Sequence, residues 1–534
     1  MAGSMQPDAL RSALTDGGEF ALLDVRERGE YARGHLFLAI NLPLSHLELR
    51  LRRYVPRRTV RVIICDDGSG LSERAGRVLE SAGYTDVFVI VGGAPACAAA
   101  GMEMYRAHYA VTYAFGLYVD RHYRPPAITP QSLQAKRASG EELVVLDARP
   151  IWDFHDASIP WAIDVPLAEL PYRIRDVAPD PKTQVIITCG AVARGVLGGR
   201  TLIEAGVENP VAVLTNGVRG WELAGYESQH GVRRSAGPSS REAIDWAHAA
   251  AQHVKNHYGV TFIAGQTLQR WRADDTRTLY VIDVRTREEY EAGHLHDAIW
   301  VLGGELIGLY EDHIGTWNAR VCLVDDDTSR AIVTASWLLR MGWPDVVVLE
   351  GGIHEHELVT GPEVQDVPEL DNAHHIPRID AQALANRIAK DATLVLDVAA
   401  SSQYESGHVP GAWWTIRARL PALIHKLPAA QQYIVTSEEG RLALLTALDL
   451  RQLTATPVAV LAGGTNAWRE GGFALVNGMT RALGEIDDNL AELNVRAGDD
   501  RTTALAARRR MLKWQEELLD KLERDDTFSF PPLP

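Results

Sequence analysis

The stretch Val185-Ile-Ile-Thr-Cys189-Gly-Ala-Val-Ala-Arg194-Gly195 joins an apolar run to a loop of small residues. Its β-branched residues predict a buried strand, and the small residues after Cys189 predict a tight loop that leads into a helix. A loop between a parallel strand and a helix N-terminus presents backbone N–H groups and the positive end of the helix dipole. The stretch therefore predicts an α/β unit with an anion-binding loop.

The same arrangement occurs four times along the chain. In each copy an earlier apolar run ends in an aspartate, and these aspartates are Asp24, Asp147, Asp283 and Asp397. The four loops follow them by 41, 42, 42 and 40 residues and begin at Cys65, Cys189, Asp325 and Ser437. This near-constant spacing indicates that the four loop positions are structurally equivalent.

Each copy closes with a third apolar run and a Gly-rich turn. Strands that alternate with helices indicate βα units on a parallel sheet, and a chain of 534 residues is long enough for about four domains. We place the copies at residues 6–115, 127–228, 262–358 and 377–476. Residues 477–534 are predicted to form a helical tail, because their leucines recur at seven-residue intervals between charged residues.

Composition excludes several classes of function. The net charge of −16 repels phosphate backbones, so we expect no nucleic-acid partner. Apolar runs fall short of the roughly 20 residues that cross a bilayer, and a signal peptide is not evident at the N-terminus. We therefore expect a cytoplasmic protein without a membrane partner. The four cysteines lack CxxC spacing and neighbouring histidine clusters, which predicts neither a disulfide framework nor a metal site.

Cys189 is the strongest candidate for a chemical role. At the first loop position, the N–H groups and the helix dipole are expected to lower its thiol pKa from about 8.5 and make it nucleophilic. Arg194 is expected to bring a guanidinium to an oxyanion, and small neighbours allow close backbone approach. The alternative is a buried structural cysteine with a solvated arginine, but the repeated position at a helix entry favours the functional interpretation.

The other three loops are weaker candidates. Cys65 is a second candidate nucleophile, but Asp66 and Asp67 beside it raise a thiol pKa and repel anionic donors. Asp325 and Ser437 supply no sulfur nucleophile, so the third and fourth copies are expected to be structural or regulatory.

Several chemically active residue types are predicted to stabilise the fold instead. Cys97 and Cys322 are expected to be packing residues. The Gly-His histidines and the repeated aspartates recur in copies that lack a nucleophile, which favours a structural role. These histidines are His35, His294 and His408.

The order of these motifs resembles the rhodanese homology domain. It runs Leu-Asp-Val-Arg, Glu-Tyr, Gly-His, strand, Cys loop, helix, strand and Gly-rich turn, and the closing motif reads Gly217-Val-Arg-Gly-Trp221 in the second copy. The resemblance covers about 400 of the 534 residues. It implies a five-stranded parallel sheet in each domain and a loop cysteine that accepts sulfane sulfur.

For the site, the resemblance implies a Cys189 persulfide formed from thiosulfate or a similar small anionic donor. A thiophile such as cyanide or a thiol would remove the sulfur, and no organic or metal cofactor is implied. The residues implied to bind the substrate are Gly190, Ala191, Val192, Ala193, Arg194 and Gly195. The second copy departs from the family pattern, since Ala157-Ser158 replaces its Gly-His.

Two competing functions remain. A Cys-based phosphatase or arsenate reductase typically has five residues between cysteine and arginine, whereas Cys189 and Arg194 are separated by four. A non-catalytic scaffold or sulfur-binding protein is the other alternative, supported by the two loops without a nucleophile. The tail is expected to pack on the chain's own domains. Its alternative role is a subunit-interface helix, which would suit a scaffold and is where we expect any homo-oligomer to form.

Overall fold

The computed structural model describes residues 2–388, 393–489 and 501–534. These residues contain four five-stranded sheets in which each paired strand runs parallel to its neighbour. All four sheets share one strand order, in which the first strand of the domain is followed by the fifth, fourth, second and third. The prediction of four tandem parallel-sheet domains is confirmed.

Each sheet contains two longer central strands flanked by shorter ones. From one edge to the other, the strands are Gly3–Met5, Val87–Ile90, Arg61–Cys65, Phe20–Asp24 and Ile40–Asn41 in the first domain; Ala127–Ile128, Val211–Leu214, Gln184–Thr188, Leu143–Asp147 and Ile163–Asp164 in the second; Thr261–Ile263, Val346–Leu349, Arg320–Val324, Leu279–Asp283 and Ile299–Trp300 in the third; and Arg378–Ile379, Val458–Leu461, Gln432–Thr436, Thr393–Asp397 and Trp413–Trp414 in the fourth. Gly3–Met5 lies ahead of the predicted boundary at residue 6.

Helices flank the sheets and connect the domains. Those of the domains are Pro7–Thr15, Arg28–Tyr31, Leu47–Tyr54, Leu71–Ser81, Gly93–Ala99, Pro130–Ala138, Ile151–Asp156, Leu170–Val177, Ala193–Glu204, Gly217–Leu223, Gly265–Arg272, Arg287–Ala292, Gly303–Leu309, Ser329–Met341, Ala381–Ile388, Ser401–Ser406, Leu420–Leu423, Arg441–Leu453 and Gly464–Glu470. Connecting and tail helices are Ala110–Tyr123, Arg241–Tyr258, Pro368–Asp371, Arg501–Glu516 and Leu518–Leu522. Short 3₁₀ turns lie at Leu44–His46, Leu167–Glu169, Tyr310–Asp312, Arg417–Arg419 and Ile424–Lys426.

The central strand of each sheet ends at a candidate loop. In the first domain this strand, Arg61–Cys65, includes Cys65, and the Gly-rich turn donates to the backbone oxygen of Asp66, as it does to that of Cys189 in the second domain. The predicted equivalence of Cys65 with Cys189 was therefore wrong, and Asp66 takes the loop position. In the second domain this strand is Gln184–Thr188, whose last four residues are buried. Strands of a parallel sheet covered on both faces read as continuous apolar runs, which is why the sequence made them visible. The loops therefore lie at the carboxyl edge of each sheet, in its middle.

Gly217 fixes the loop of the second domain against the Gly-rich turn. Its φ is +53°, and an added Cβ would collide with the backbone oxygen of Cys189. The next two residues donate backbone hydrogen bonds to the loop, from Val218 to Cys189 (2.8 Å) and from Arg219 to Gly190 (3.1 Å). Glycines at the equivalent positions make the same close approach in the other domains, and these are Gly93, Gly352 and Gly464.

The repeated aspartates and histidines make structural contacts. Asp147 accepts hydrogen bonds from Nε (2.9 Å) and Nη2 (2.7 Å) of Arg149, and the pairs Asp24–Arg26 and Asp283–Arg285 repeat this contact. The Gly-His histidines stack on tyrosines at ring-centroid distances of 3.6 to 3.8 Å. These ion pairs and ring contacts lie within each domain, so the aspartates and histidines stabilise the fold.

The C-terminal tail packs on the chain itself. Trp514 makes an edge contact with Tyr113, and Phe530 packs against Phe115 and Tyr118. These apolar side chains contact the connecting helix Ala110–Tyr123, so the tail covers a surface within the same chain. Within the described ranges, every helix is too short or too polar to span a bilayer.

We predict that Gly217→Ala destabilises the second domain more than Gly225→Ala does. Both glycines have positive φ, but Gly225 has open space around its Cα. A left-handed conformation costs an alanine about 1–2 kcal/mol, and the collision at residue 217 adds about 1–3 kcal/mol. Hydrogen exchange in strand Gln184–Thr188 measures the difference. Equal exchange rates in the two variants would contradict this explanation.

Candidate active site

Cys189 occupies the first position after the central strand of the second sheet. The loop runs from 189 to 192, and helix Ala193–Glu204 follows it directly. The thiol is buried, with 3% of the residue exposed. The backbone N–H groups of Ala191 and Gly195 point to the sulfur and stabilise its anionic form. Two of the six predicted binding residues, Ala191 and Gly195, thus bring a backbone N–H to the thiol.

The expected low thiol pKa of Cys189 was wrong as a net effect. Burial is the largest influence and raises the pKa above its ordinary value, and Asp147 adds to that rise. Arg194 and the two loop amides act in the predicted direction and lower the pKa, but they do not overcome burial. The loop thus stabilises a thiolate once it has formed, while burial favours the neutral thiol.

Arg194, which we expected to bring a guanidinium to an oxyanion, is held by two carboxylates. Its Nη2 donates to Oδ2 of Asp153 (2.7 Å), and its Nη1 donates to Oε1 of Glu305 (2.8 Å). Glu305 belongs to the third domain, on helix Gly303–Leu309. An oxyanion would have to compete with these carboxylates for the guanidinium.

Three parts of the chain enclose the thiol of Cys189. A cavity of about 40 Å³ is lined by Thr112, Tyr113, residues 189–194, Gly308 and Leu309. The first two belong to the connecting helix Ala110–Tyr123, and the last two belong to the third domain. A water needs about 10–15 Å³ in this measure, so the cavity holds about three water-sized groups.

In the third domain, the carboxylate of Asp325 occupies the equivalent loop. Asp325 Oδ2 accepts hydrogen bonds from the backbone N–H of Arg330 (2.8 Å) and of Ala331 (3.2 Å). Asp325 and Asp326 both pair with the guanidinium of Arg330. The loop amides and the nearest cation are therefore already satisfied by side chains.

The first and fourth loops are also satisfied internally. Asp66 accepts hydrogen bonds from the backbone N–H of Gly68 (2.8 Å) and of Ser72 (3.0 Å). Ser437 Oγ accepts one from the backbone N–H of Ala443 (3.2 Å). In these loops the groups that would bind an incoming anion already have partners.

The other cysteines are buried. Burial and then Asp24 raise the pKa of Cys65 well above its ordinary value. Burial raises the pKa of Cys97 to about 11 and of Cys322 to about 12. Cys322 lies inside the third sheet and Cys97 on helix Gly93–Ala99, as expected for packing residues.

Sequence reasoning missed the residues that other domains bring to the site. Glu305, Gly308 and Tyr113 are distant from Cys189 in the chain and belong to no motif of the second domain. One signal was available for Glu305, since it follows Asp283 by 22 residues, as Glu169 follows Asp147. Equivalent carboxylates in two repeats can indicate a shared interface.

Comparison with known proteins assigns the fold to a family. The Rhodanese-like domain matches the chain four times, at residues 6–100, 129–224, 266–357 and 380–471. The chain belongs to the rhodanese family. Its four rhodanese-like domains account for all four sheets, and Cys189 lies at the loop of the second.

The rhodanese chain is similar over its full length to a solved structure. This is the crystal structure of thiosulfate sulfurtransferase from Pseudomonas aeruginosa, with 36% identity, a TM-score of 0.94 and 100% of both chains covered. A Bacillus subtilis (strain 168) protein named "Putative sulfur carrier protein YrkF" is 28% identical over 96 residues, or 18% of this chain. The chain spans 50% of the length of that protein. These likenesses support sulfur transfer as the general chemistry.

We predict that the thiol of Cys189 ionises with a midpoint above about 8.5, the ordinary value. The ultraviolet absorbance of the thiolate, taken as the difference between the chain and Cys189→Ser, measures this. Arg194→Gln should move the midpoint higher, because it removes the cation that stabilises the thiolate and leaves two carboxylates nearby unpaired. A midpoint below about 8 would show that the loop amides outweigh burial.

Proposed function

We propose that this rhodanese is a sulfurtransferase that carries sulfane sulfur as a persulfide on Cys189. The observation that carries the proposal is the second loop itself. It places a cysteine where two backbone N–H groups stabilise a sulfur anion, and no side chain of the loop fills that position. Thiosulfate or a similar small anion is the proposed donor, and cyanide or a thiol is the proposed acceptor.

The transfer takes place in two displacements. The Cys189 thiol first loses its proton to solvent, and the thiolate attacks the sulfane sulfur of thiosulfate. A bond forms between Cys189 Sγ and that sulfur, the sulfur–sulfur bond of thiosulfate breaks, and sulfite leaves with the electron pair. Cyanide or a thiolate then attacks the outer sulfur, and the Cys189 thiolate leaves, which restores the starting state.

The loop amides support both displacements. The N–H groups of Ala191 and Gly195 stabilise the thiolate before attack and again as it leaves. A persulfide anion on Cys189 would use the same donors. Burial excludes bulk water from the persulfide, which protects it while the acceptor arrives.

Cys189 is a better nucleophile than Cys65 in this arrangement. Near Cys65 the loop amides are taken by Asp66, and Asp24 opposes ionisation of the thiol. Arg26 favours the thiolate of Cys65, but it already pairs with Asp24. We therefore propose Cys189 as the site of turnover, and the role of Cys65 stays a prediction.

A phosphatase or arsenate reductase is less compatible with the site. Those enzymes typically have five residues between the cysteine and the arginine, whereas Cys189 and Arg194 are separated by four. The scaffold alternative differs from sulfur transfer in that it requires no persulfide.

Homo-oligomer formation through the tail stays a prediction, and the apolar contacts of Trp514 and Phe530 within the chain give it no support.

We predict that intact-mass measurement after incubation with thiosulfate shows a gain of about 32 Da, the mass of one sulfur, on a persulfidated cysteine. Cys189→Ser should abolish the gain. Cys65→Ser is the control, because it changes another buried cysteine, the last residue of the corresponding strand Arg61–Cys65, and it should leave the gain intact. If neither thiosulfate nor another sulfane donor adds sulfur to the unsubstituted chain, the scaffold function replaces sulfur transfer.

A further inference from the structure

The second and third domains pack through a reciprocal pair of ion pairs. Arg194 of the second domain binds Glu305 of the third, and Arg330 of the third binds Glu169 of the second (2.9 Å). Arg194 and Arg330 both follow their repeat aspartate by 47 residues. The two domains therefore face each other through equivalent surfaces.

The symmetry extends to a carboxylate within each domain. Asp153 binds Arg194 (2.7 Å), and Glu289 binds Arg330 (2.8 Å). Both acids follow their repeat aspartate by six residues. The two arginines thus have matched environments, but they differ in what lies beside them. Arg330 also binds the loop carboxylate Asp325, whereas Arg194 lies near the thiol of Cys189.

Glu305 is held rigidly at this interface. Its helix Gly303–Leu309 packs on the 3₁₀ turn Leu167–Glu169, where Cβ atoms added at Gly303 and Gly304 would lie 2.9 and 3.0 Å from Ala168 and Leu167. The stem of Arg194 lies against Gly308 of the same helix. Only 10% of the Glu305 side chain is exposed. Its carboxylate therefore lies in a packed interface between the two domains.

The charges beside Cys189 are unfavourable for a dianionic donor. Arg194 contributes one positive charge, and Asp153 and Glu305 contribute two negative charges when both are ionised. An incoming oxyanion must take the guanidinium from these carboxylates and is repelled by them as it does so. Removing one of the carboxylate charges would leave a guanidinium able to form charge-assisted bonds to the donor.

We infer that Glu305 of the third domain is a positioning residue that sets the charge of donor that the Cys189 site accepts. It holds Arg194 and competes with the oxygens of an anionic donor. The third domain, which has no nucleophile in its own loop, therefore acts on the active site of the second. This inference rests on the proposed sulfur transfer at Cys189.

Protonation of Glu305 should have the same effect as removing its charge. Burial raises its pKa to about 7, against the opposing effect of Arg194. The other charged groups that face it are Asp153 from the second domain and Asp312 from its own domain, and both favour the protonated form. Below about pH 7, Glu305 is protonated and the guanidinium of Arg194 can bind the donor. Above that pH, the Glu305 carboxylate is ionised and pairs with the guanidinium.

The test compares Glu305→Gln with Glu169→Gln in the full chain. Each variant removes one carboxylate from the same reciprocal interface, but only Glu305 contacts Arg194. We expect Glu305→Gln to lower the KM for thiosulfate about tenfold near pH 8 with a smaller change in kcat, as removal of one like charge predicts. The difference from the unsubstituted chain should vanish toward pH 6. Glu169→Gln should leave the KM unchanged at both pH values.

A binding measurement separates this inference from the proposed function. Calorimetry with sulfate on Cys189→Ser, with and without Glu305→Gln, needs no turnover, and we expect the added substitution to tighten binding about tenfold. If sulfur never loads but sulfate binding tightens, the proposed function fails and the role of Glu305 stands. If sulfur loads and Glu305→Gln matches Glu169→Gln in KM and sulfate binding, the role of Glu305 fails.

Discussion

The N–H groups at the start of a helix that follows a buried parallel strand need an acceptor. This requirement recurs in all four domains, because each repeats the same central strand, loop and helix. Asp66, Asp325 and Ser437 supply a side-chain oxygen in three of them. The second loop instead presents its N–H groups to the sulfur of Cys189. The second loop is thus the one of the four that supplies no side-chain oxygen of its own to these N–H groups, which is why we propose it as the reactive loop.

Domain packing turns this loop into an enclosed site. The connecting helix Ala110–Tyr123 and the third-domain helix Gly303–Leu309 cover Cys189 and leave a small cavity. The same packing brings Glu305 to Arg194. Four residues that line the cavity and the carboxylate of Glu305 therefore come from outside the second domain. Loss of a nucleophile in the third domain is compatible with this role.

The direction of the Cys189 pKa shift could not be predicted from the loop residues alone. The loop residues of the second domain indicated two influences that stabilise a thiolate, and both are present: the helix-entry amides and Arg194. Burial has the opposite sign and is larger. Burial depends on the connecting helix and the third domain, whose positions are not encoded in the loop. The partner of Arg194 in the third domain was missed for the same reason, because Glu305 lies 111 residues away in the chain.

The sequence by itself determined the four-fold repeat, the parallel sheets and the position of the candidate nucleophile. These follow from local patterns, since an apolar run, a small-residue loop and a constant spacing are visible in one dimension. The tertiary structure alone decided which groups surround Cys189, how deeply the thiol is buried and which carboxylates hold Arg194. Those properties depend on how equivalent surfaces of the second and third domains meet, and contacts between distant segments leave no pattern within either segment.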